Sequence, residues 1–298
     1  MIGSLLGCLL LASFQTYAQT PELDVSIVYV EQKIEHPPVL SNLVAWPEDE
    51  GLMGATLGIN DNNTTGRFLG QKYILETLIF EVDEPKSSRD EKIQRVLAEG
   101  SKLVVVNLPA DDLLSIVSLD EAKDDLFLNA QSSDKNLRNE ECRANLLHTI
   151  PSRAMHGDAL MQFFTKKRWK QIFLIEGNGS SDSALADAMR QSIKKFNLKI
   201  VEDKRWIENA DMRRNASNEV PVFTQARKYD AVVVTDEDRD FAQYIPYNTW
   251  LPRPVTGSAG LMPVTWSPVI EQWGAAQLQS RFNKIARRSM TGRDYSNW

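Results

Sequence analysis

Apolar positions along the chain fall into two alternating kinds of segment. Short unbroken runs at residues 24–31 (DVSIVYVE), 103–107 (LVVVN), 126–129, 171–176 and 229–235 (YDAVVVT) are too continuous for a sheet with one wet face. They predict strands buried on both sides. Between them apolar residues recur at helical spacing: Leu160, Phe163, Phe164 and Trp169 within 158–170, and Leu185, Met189, Ile193 and Phe196 after Gly179. Helices are also expected at 90–97, ended by Gly100, and at 113–122, with further strands at 73–80, 145–149 and 199–206. Strands alternating with helices predict parallel sheets with helical crossovers.

Two polar stretches divide this series. Residues 130–143 are read as the first passage between two lobes, and 252–261 (PRPVTGSAGL) as the return into a long helix carrying Ile270, Trp273, Leu278, Phe282 and Ile285. Residues 19–140 and 256–298 then form the first lobe and 141–255 the second. Within 51–75, Leu52, Ala55, Leu57 and Ile59 supply a helical face, while 60–66 (NDNNTTG) favour turns. This polar stretch is either a loop bordering a ligand crevice at strand ends or an ordinary solvated connection.

Composition narrows the class. The 298 residues are 42% hydrophobic and 25% charged, with a net charge of −6, which is globular and neither disordered nor fibrous. Basic residues cluster only briefly, at Lys166, Lys167, Arg168 and Lys170, so no nucleic-acid face is expected. The first eighteen residues carry no charged side chain, and Leu5 to Ala12 are followed by Thr16-Tyr17-Ala18. This pattern predicts a secretory signal at 1–18. It is too short to span a bilayer comfortably. Leu5-Leu6-Gly7-Cys8 offers an alternative, a lipid-anchored start. Removing the leader leaves Cys142 as an odd cysteine, either a buried free thiol or paired with sequence not present here. The last residues, 294–298, have no recognisable finish and are read as a C-terminal truncation.

The opening strand, Gly51-Leu52 and Gly54-Ala55 with the turn at 61–66 and Gly70, Leu147-His148-Thr149-Ile150-Pro151-Ser152, the strand at 230–235 and residues 257–261 together carry a resemblance. On these residues the chain after its leader resembles the type I periplasmic substrate-binding proteins of ABC importers, in the leucine/isoleucine/valine-binding branch. Residues 142–149 (CRANLLHT), 248–254 (NTWLPRP) and 271–282 (EQWGAAQLQSRF) resemble, more narrowly, a subfamily encoded beside PQQ-dependent alcohol oxidation systems. The resemblance implies an α/β fold of two Rossmann-like lobes joined by three crossings, closing over a small ligand. It also implies a monomer in the periplasm that serves an inner-membrane ABC permease, and a chain continuing past residue 298 with a partner for Cys142.

In such a hinged binder, strand ends from both lobes converge on the ligand. The candidate ligand-binding residues are Asp61, Asn63, Thr64, Thr65 and Asn107 from the first lobe, and Thr149, Ser152, Arg153, Glu176 and Asp236 from the second. Thr149 and Ser152 carry over by position as hydroxyl donors to a ligand carboxylate. Arg153 stands where amino-acid binders place an aspartate, and Asp236-Glu237-Asp238 replaces small residues, so an amino-acid ligand is not inferred. Those acids either cap a helix or hold a hard cation with Asp61 or Glu176. Trp206, Trp250, Trp266 and Trp273 are either a stacking platform or packed core. His36, His148 and His156 fall in no metal-protease spacing, no G-x-S-x-G occurs, and Gly177-Asn178-Gly179 lacks the rest of a phosphate loop. No catalysis and no cofactor is expected, and a ligand sensor of the same fold is the alternative to a transport component.

Overall fold

The unbroken apolar runs become the central strands of two sheets. The computed structural model describes residues 23–36, 46–99, 103–207 and 212–298, so the expected leader and most of the loop read over 36–46 lie outside the described residues. In order the chain forms β1 (Leu23–Gln32), α1 (Leu52–Leu69), β2 (Gln71–Phe80), α2 (Lys86–Leu97), β3 (Leu103–Asn107), α3 (Ala110–Val117), β4 (Leu126–Asn129) and β5 (Leu146–His148). It continues with α4 (Arg153–Lys167), β6 (Gln171–Glu176), α5 (Ser180–Lys195), β7 (Lys199–Arg205), α6 (Met212–Phe223), β8 (Ala231–Thr235), β9 (Val255–Gly257), α7 (Ala275–Ala286) and α8 (Gly292–Asn297). The strands form a five-stranded sheet, β2-β1-β3-β4-β5, and a four-stranded sheet, β7-β6-β8-β9. Every pairing is parallel.

Alternation along each strand sends side chains to two cores per sheet. In the first lobe Val28, Val30, Val104, Val106 and Phe127 pack on Ile93 and Leu97 of α2 and Leu113 and Ile116 of α3. The opposite face presents Tyr29 and Val105 to Ala55 of α1. In the second lobe Ile172, Leu174 and Val233 meet Leu160 and Phe164 of α4 and Leu185 and Met189 of α5. Its other face packs Phe173, Val232 and Val234 with Trp206 and Val220 of α6.

Two expectations are corrected. The polar stretch at 60–66 is not a loop: α1 runs through it and ends on Gly70, in the left-handed region at φ 65°. Tertiary partners occupy the side chains that would otherwise have turned the backbone. Asn63 Nδ2 donates to the Tyr73 carbonyl (2.9 Å) and its Oδ1 accepts from the Tyr73 amide (2.7 Å). Thr64 donates one turn back to the Asn60 carbonyl (3.0 Å). Asp61 takes both the Arg281 guanidinium (3.0 and 2.9 Å) and the Trp298 indole N–H (2.8 Å).

The lobe boundaries also shift. β5 pairs with β4, so residues 141–148 belong to the first lobe, and the polar run after β4 stays within it. Residues 255–257 form β9 on the second sheet, inside what was read as a plain return connection. The described residues cross between lobes twice, after β5 and after β9.

Near the end of the described residues, 292–297 form α8, started by a reciprocal cap between Thr291 and Asp294. α7 and α8 return to α1, where Leu57 packs with Leu278, Phe282 and Met290. Gly54 and Gly58 admit this approach. A Cβ on Gly54 would lie 2.0 Å from the Asp294 carbonyl oxygen, and one on Gly58 2.7 Å from that of Trp298.

Candidate functional site: a cleft between the lobes

The C-terminal ends of strands from both sheets border one cleft of about 620 Å³. The first lobe contributes Trp46, Pro109 after β3, and Gln131 to Asp134 after β4. The second contributes Arg153 and His156 on α4, Asp236, Glu237 and Arg239 after β8, and Ser258 after β9. A parallel sheet collects its loops at this edge, so the topology itself assembles the lining.

Arg153 is the principal polar link across the cleft. Ser152 caps α4, its hydroxyl accepting from the Met155 amide at 3.3 Å, and this sets Arg153 as the first helical residue. The Arg153 Nε donates to both Glu237 oxygens (3.0 and 3.1 Å) and Nη2 to Oε2 (2.8 Å), all within the second lobe. Nη1 donates to Asp134 of the first lobe. The Arg153 amide donates to the Ser133 carbonyl at 2.9 Å, a second interlobe bond. Burial would lower the guanidinium pKa, but the two carboxylates raise it above its ordinary value.

A second link is aromatic. Trp46 stacks on His36 with centroids 4.3 Å apart and planes at 6°, and the Arg239 guanidinium of the other lobe lies 4.3 Å from the Trp46 centroid. Burial lowers the His36 pKa. His156, one turn along α4 from Arg153, has a buried Nε2 with no hydrogen-bond partner among the described residues. Burial first, and the neighbouring Arg153 second, hold its pKa below the ordinary histidine value, so the ring is neutral at neutral pH.

Of the ten residues singled out from sequence, Arg153 and Asp236 line the cleft. Asp236 is turned inward: its oxygens accept from the amides of Asp240 (2.9 Å), Phe241 (2.8 Å) and Ala242 (2.7 Å). Burial raises its pKa against those three donors. Ser152 is consumed as the α4 cap, and Thr149 donates back to the Asn129 carbonyl at 3.2 Å. Glu176 is enclosed by Ser183 (2.8 Å), Arg190 (2.5 Å) and Arg205 (2.5 Å). Asp61, Asn63, Thr64 and Thr65 lie toward the far end of α1, beside the start of β2, at the opposite edge of the sheet from the cleft. With Asp61 there and Glu176 enclosed, neither stands opposite Asp236-Glu237-Asp238 as the hard-cation reading expected. No group of three His, Cys, Asp or Glu among the described residues could hold a metal.

Asn107 at the end of β3 is covered by α8. Its side-chain amide exchanges hydrogen bonds with that of Asn297 (2.7 and 3.1 Å), and Arg293 reaches Asn107 (3.3 Å), Glu31 (2.9 Å) and Gln131 (2.6 Å). Asp294 accepts from the Gly51 amide at 2.8 Å, taking the start of α1. The first lobe's crevice between β1 and β3 is therefore filled from within the chain. Sequence reasoning missed Trp46, residues 131–134, His156, Arg239 and Ser258. Residues 131–134 were visible only as the start of a polar run taken for a linker. Trp206 is core, stacked on Phe241 at 4.6 Å, whereas Trp250 (55% exposed) and Trp273 (96%) face solvent outside the cleft. Cys142 is an exposed free thiol.

The two parallel-sheet lobes and their cleft define the type I periplasmic binding protein fold. Among solved structures the chain is similar to the leucine-, isoleucine-, valine-, threonine- and alanine-binding protein of Brucella ovis in its closed conformation. That match has 16% identity, covers 93% of this chain and 74% of that one, and has a TM-score of 0.68. It is similar to a branched-chain amino acid ABC transporter periplasmic ligand-binding protein of Burkholderia xenovorans (15% identity, 92% and 75% covered, TM-score 0.68). It is also similar to an ABC transporter solute binding protein of R. palustris in complex with benzoate (10%, 93% and 77%, TM-score 0.60). No family model matches the chain, and no curated protein is significantly similar to it. No described helix is long and apolar enough to cross a membrane.

Proposed function

We propose that this protein is the solute-binding component of an ABC importer, capturing a small molecule in the cleft between its lobes. The observation that carries this reading is the cleft itself, lined from both lobes and bridged by Arg153 to Asp134. A ligand that contacts both walls binds the closed arrangement better than the open one and shifts the population toward closure. The closed pair of lobes is then the form a permease in the inner membrane recognises. The protein acts as a monomer in the periplasm, exported by its leader, without catalysis, cofactor or nucleic acid. The residue blocks at 142–149, 248–254 and 271–282 further connect it with PQQ-dependent alcohol oxidation.

Proteins of similar fold bind branched-chain amino acids or benzoate, and both are sampled by the test. A thermal-shift screen against amino acids, aromatic acids, alcohols and quinones should yield compounds that raise the melting temperature. Small-angle scattering with such a compound should then report a smaller radius of gyration. A hit that leaves the radius unchanged in every case argues against closure, and turnover of a hit argues against a binder.

A further inference from the structure

The charged side chains that line the cleft are three carboxylates, Asp134, Asp236 and Glu237, against two guanidiniums, Arg153 and Arg239. Arg153 is held by Glu237 and Asp134, and two carboxylates against one guanidinium leave this group net negative. A ligand carboxylate placed beside it would add like charge in a partly dehydrated space. An incoming ammonium fares no better. Asp236 is sealed by three amides, Glu237 and Asp134 are engaged, and the guanidinium of Arg239 stands over Trp46. It would leave water for acceptors that already have donors. Much of the remaining wall is apolar, including Trp46, Ile150, Met189, Met262 and Val264. His156 belongs to this lining, and its Nε2, shielded from solvent in this arrangement of the lobes, has no partner among the described residues. A neutral imidazole offers one donor and one acceptor, the complement of a hydroxyl or, in one tautomer, a carbonyl.

Resting on the capture reading above, we propose that the cleft selects an uncharged, largely apolar small molecule bearing one hydroxyl or carbonyl group, which pairs with Nε2 of His156.

The test is calorimetric titration of the chain with benzyl alcohol, benzylamine and benzoate, which share a ring and differ in charge, and with leucine. Benzyl alcohol should bind most tightly, with each charged compound weaker by about tenfold or more. His156→Phe should weaken benzyl alcohol by about tenfold, the loss of one hydrogen bond. In the unaltered chain benzyl alcohol should shift the imidazole nitrogen resonances of His156, a readout that does not depend on the variant folding. Tighter binding of benzoate, benzylamine or leucine overturns the charge assignment while leaving capture by closure intact. Benzyl alcohol binding with the His156 resonances unmoved overturns the role of that residue. No binding by any of the four overturns the proposal outright, whereas capture itself is judged by the separate screen and its scattering readout.

Discussion

Arg153 of the second lobe and Asp134 of the first form an ion pair across the cleft, and Glu237 grips the same guanidinium from behind. One cation thus ties the wall of one lobe to the wall of the other. Because Asp134 is 40% exposed and Glu237 30%, the pair is weaker than a buried one, and its influence falls on the opening equilibrium more than on folding.

Asp134→Ala should therefore widen the ligand-free cleft at small cost in stability, about 1 kcal/mol or less. Small-angle scattering should report a larger radius of gyration, with the urea midpoint little changed. An unchanged radius would count against the link acting as a latch.

Arg153→Met removes the shared cation and leaves Asp134 and Glu237 facing each other. The expected loss is about 2 kcal/mol in urea unfolding, discounted from the buried-pair range for partial exposure. Arg153→Lys should restore only part of it, since an ammonium cannot grip Glu237 in two places at once.

Acid should weaken the second lobe through Glu176. Burial raises its pKa, but hydrogen bonds from Arg190, Ser183 and Arg205 outweigh this and hold it below the ordinary glutamate value. The unfolded chain then binds a proton at higher pH than the folded one. The stabilisation is full above the ordinary carboxylate pKa and is lost as pH falls through the lower folded value. Glu176→Gln should flatten this acid limb of the urea midpoint against pH, and a variant as acid-sensitive as the parent would remove Glu176 as its source.

Gly54→Ala drives a methyl group toward the Asp294 carbonyl. Overpacking of this kind costs about 1 to 3 kcal/mol. The shift should loosen α8, seen as faster amide hydrogen exchange at Arg293 to Asn297 and at Gly51.

Asp61→Ala tests the placement of α1. Loss of the Arg281 and Trp298 contacts should cost about 1 kcal/mol, and the affinity for any cleft ligand should not change. A marked fall in affinity would return residues 61–65 to the binding site.

The candidate site was less legible than the fold, for reasons visible in particular residues. Arg153 stood out because it stands where the amino-acid binders it resembles place an aspartate. Asp236 stood out as the end of the clearest strand. Glu176 shared that strand-end position, yet Arg190 and Arg205 arrive from α5 and β7 to enclose it, and neither is near it in sequence. Asn107 likewise lost its place to Asn297, 190 residues away. Trp46 and Arg239 become partners only when the lobes face each other.

Continuous apolar runs and helical spacing determined, without help, that the chain builds parallel strands with helical crossovers, because burial on two faces leaves no other pattern for those residues. Whether NDNNTTG turns or stays helical, which sheet receives Leu146–His148, and which strand ends remain open to a ligand were decided by tertiary contacts. Polar side chains accept either outcome locally. Their hydrogen bonds are satisfied by water in a loop, or by Tyr73, Arg281 and Trp298 once distant segments pack beside them.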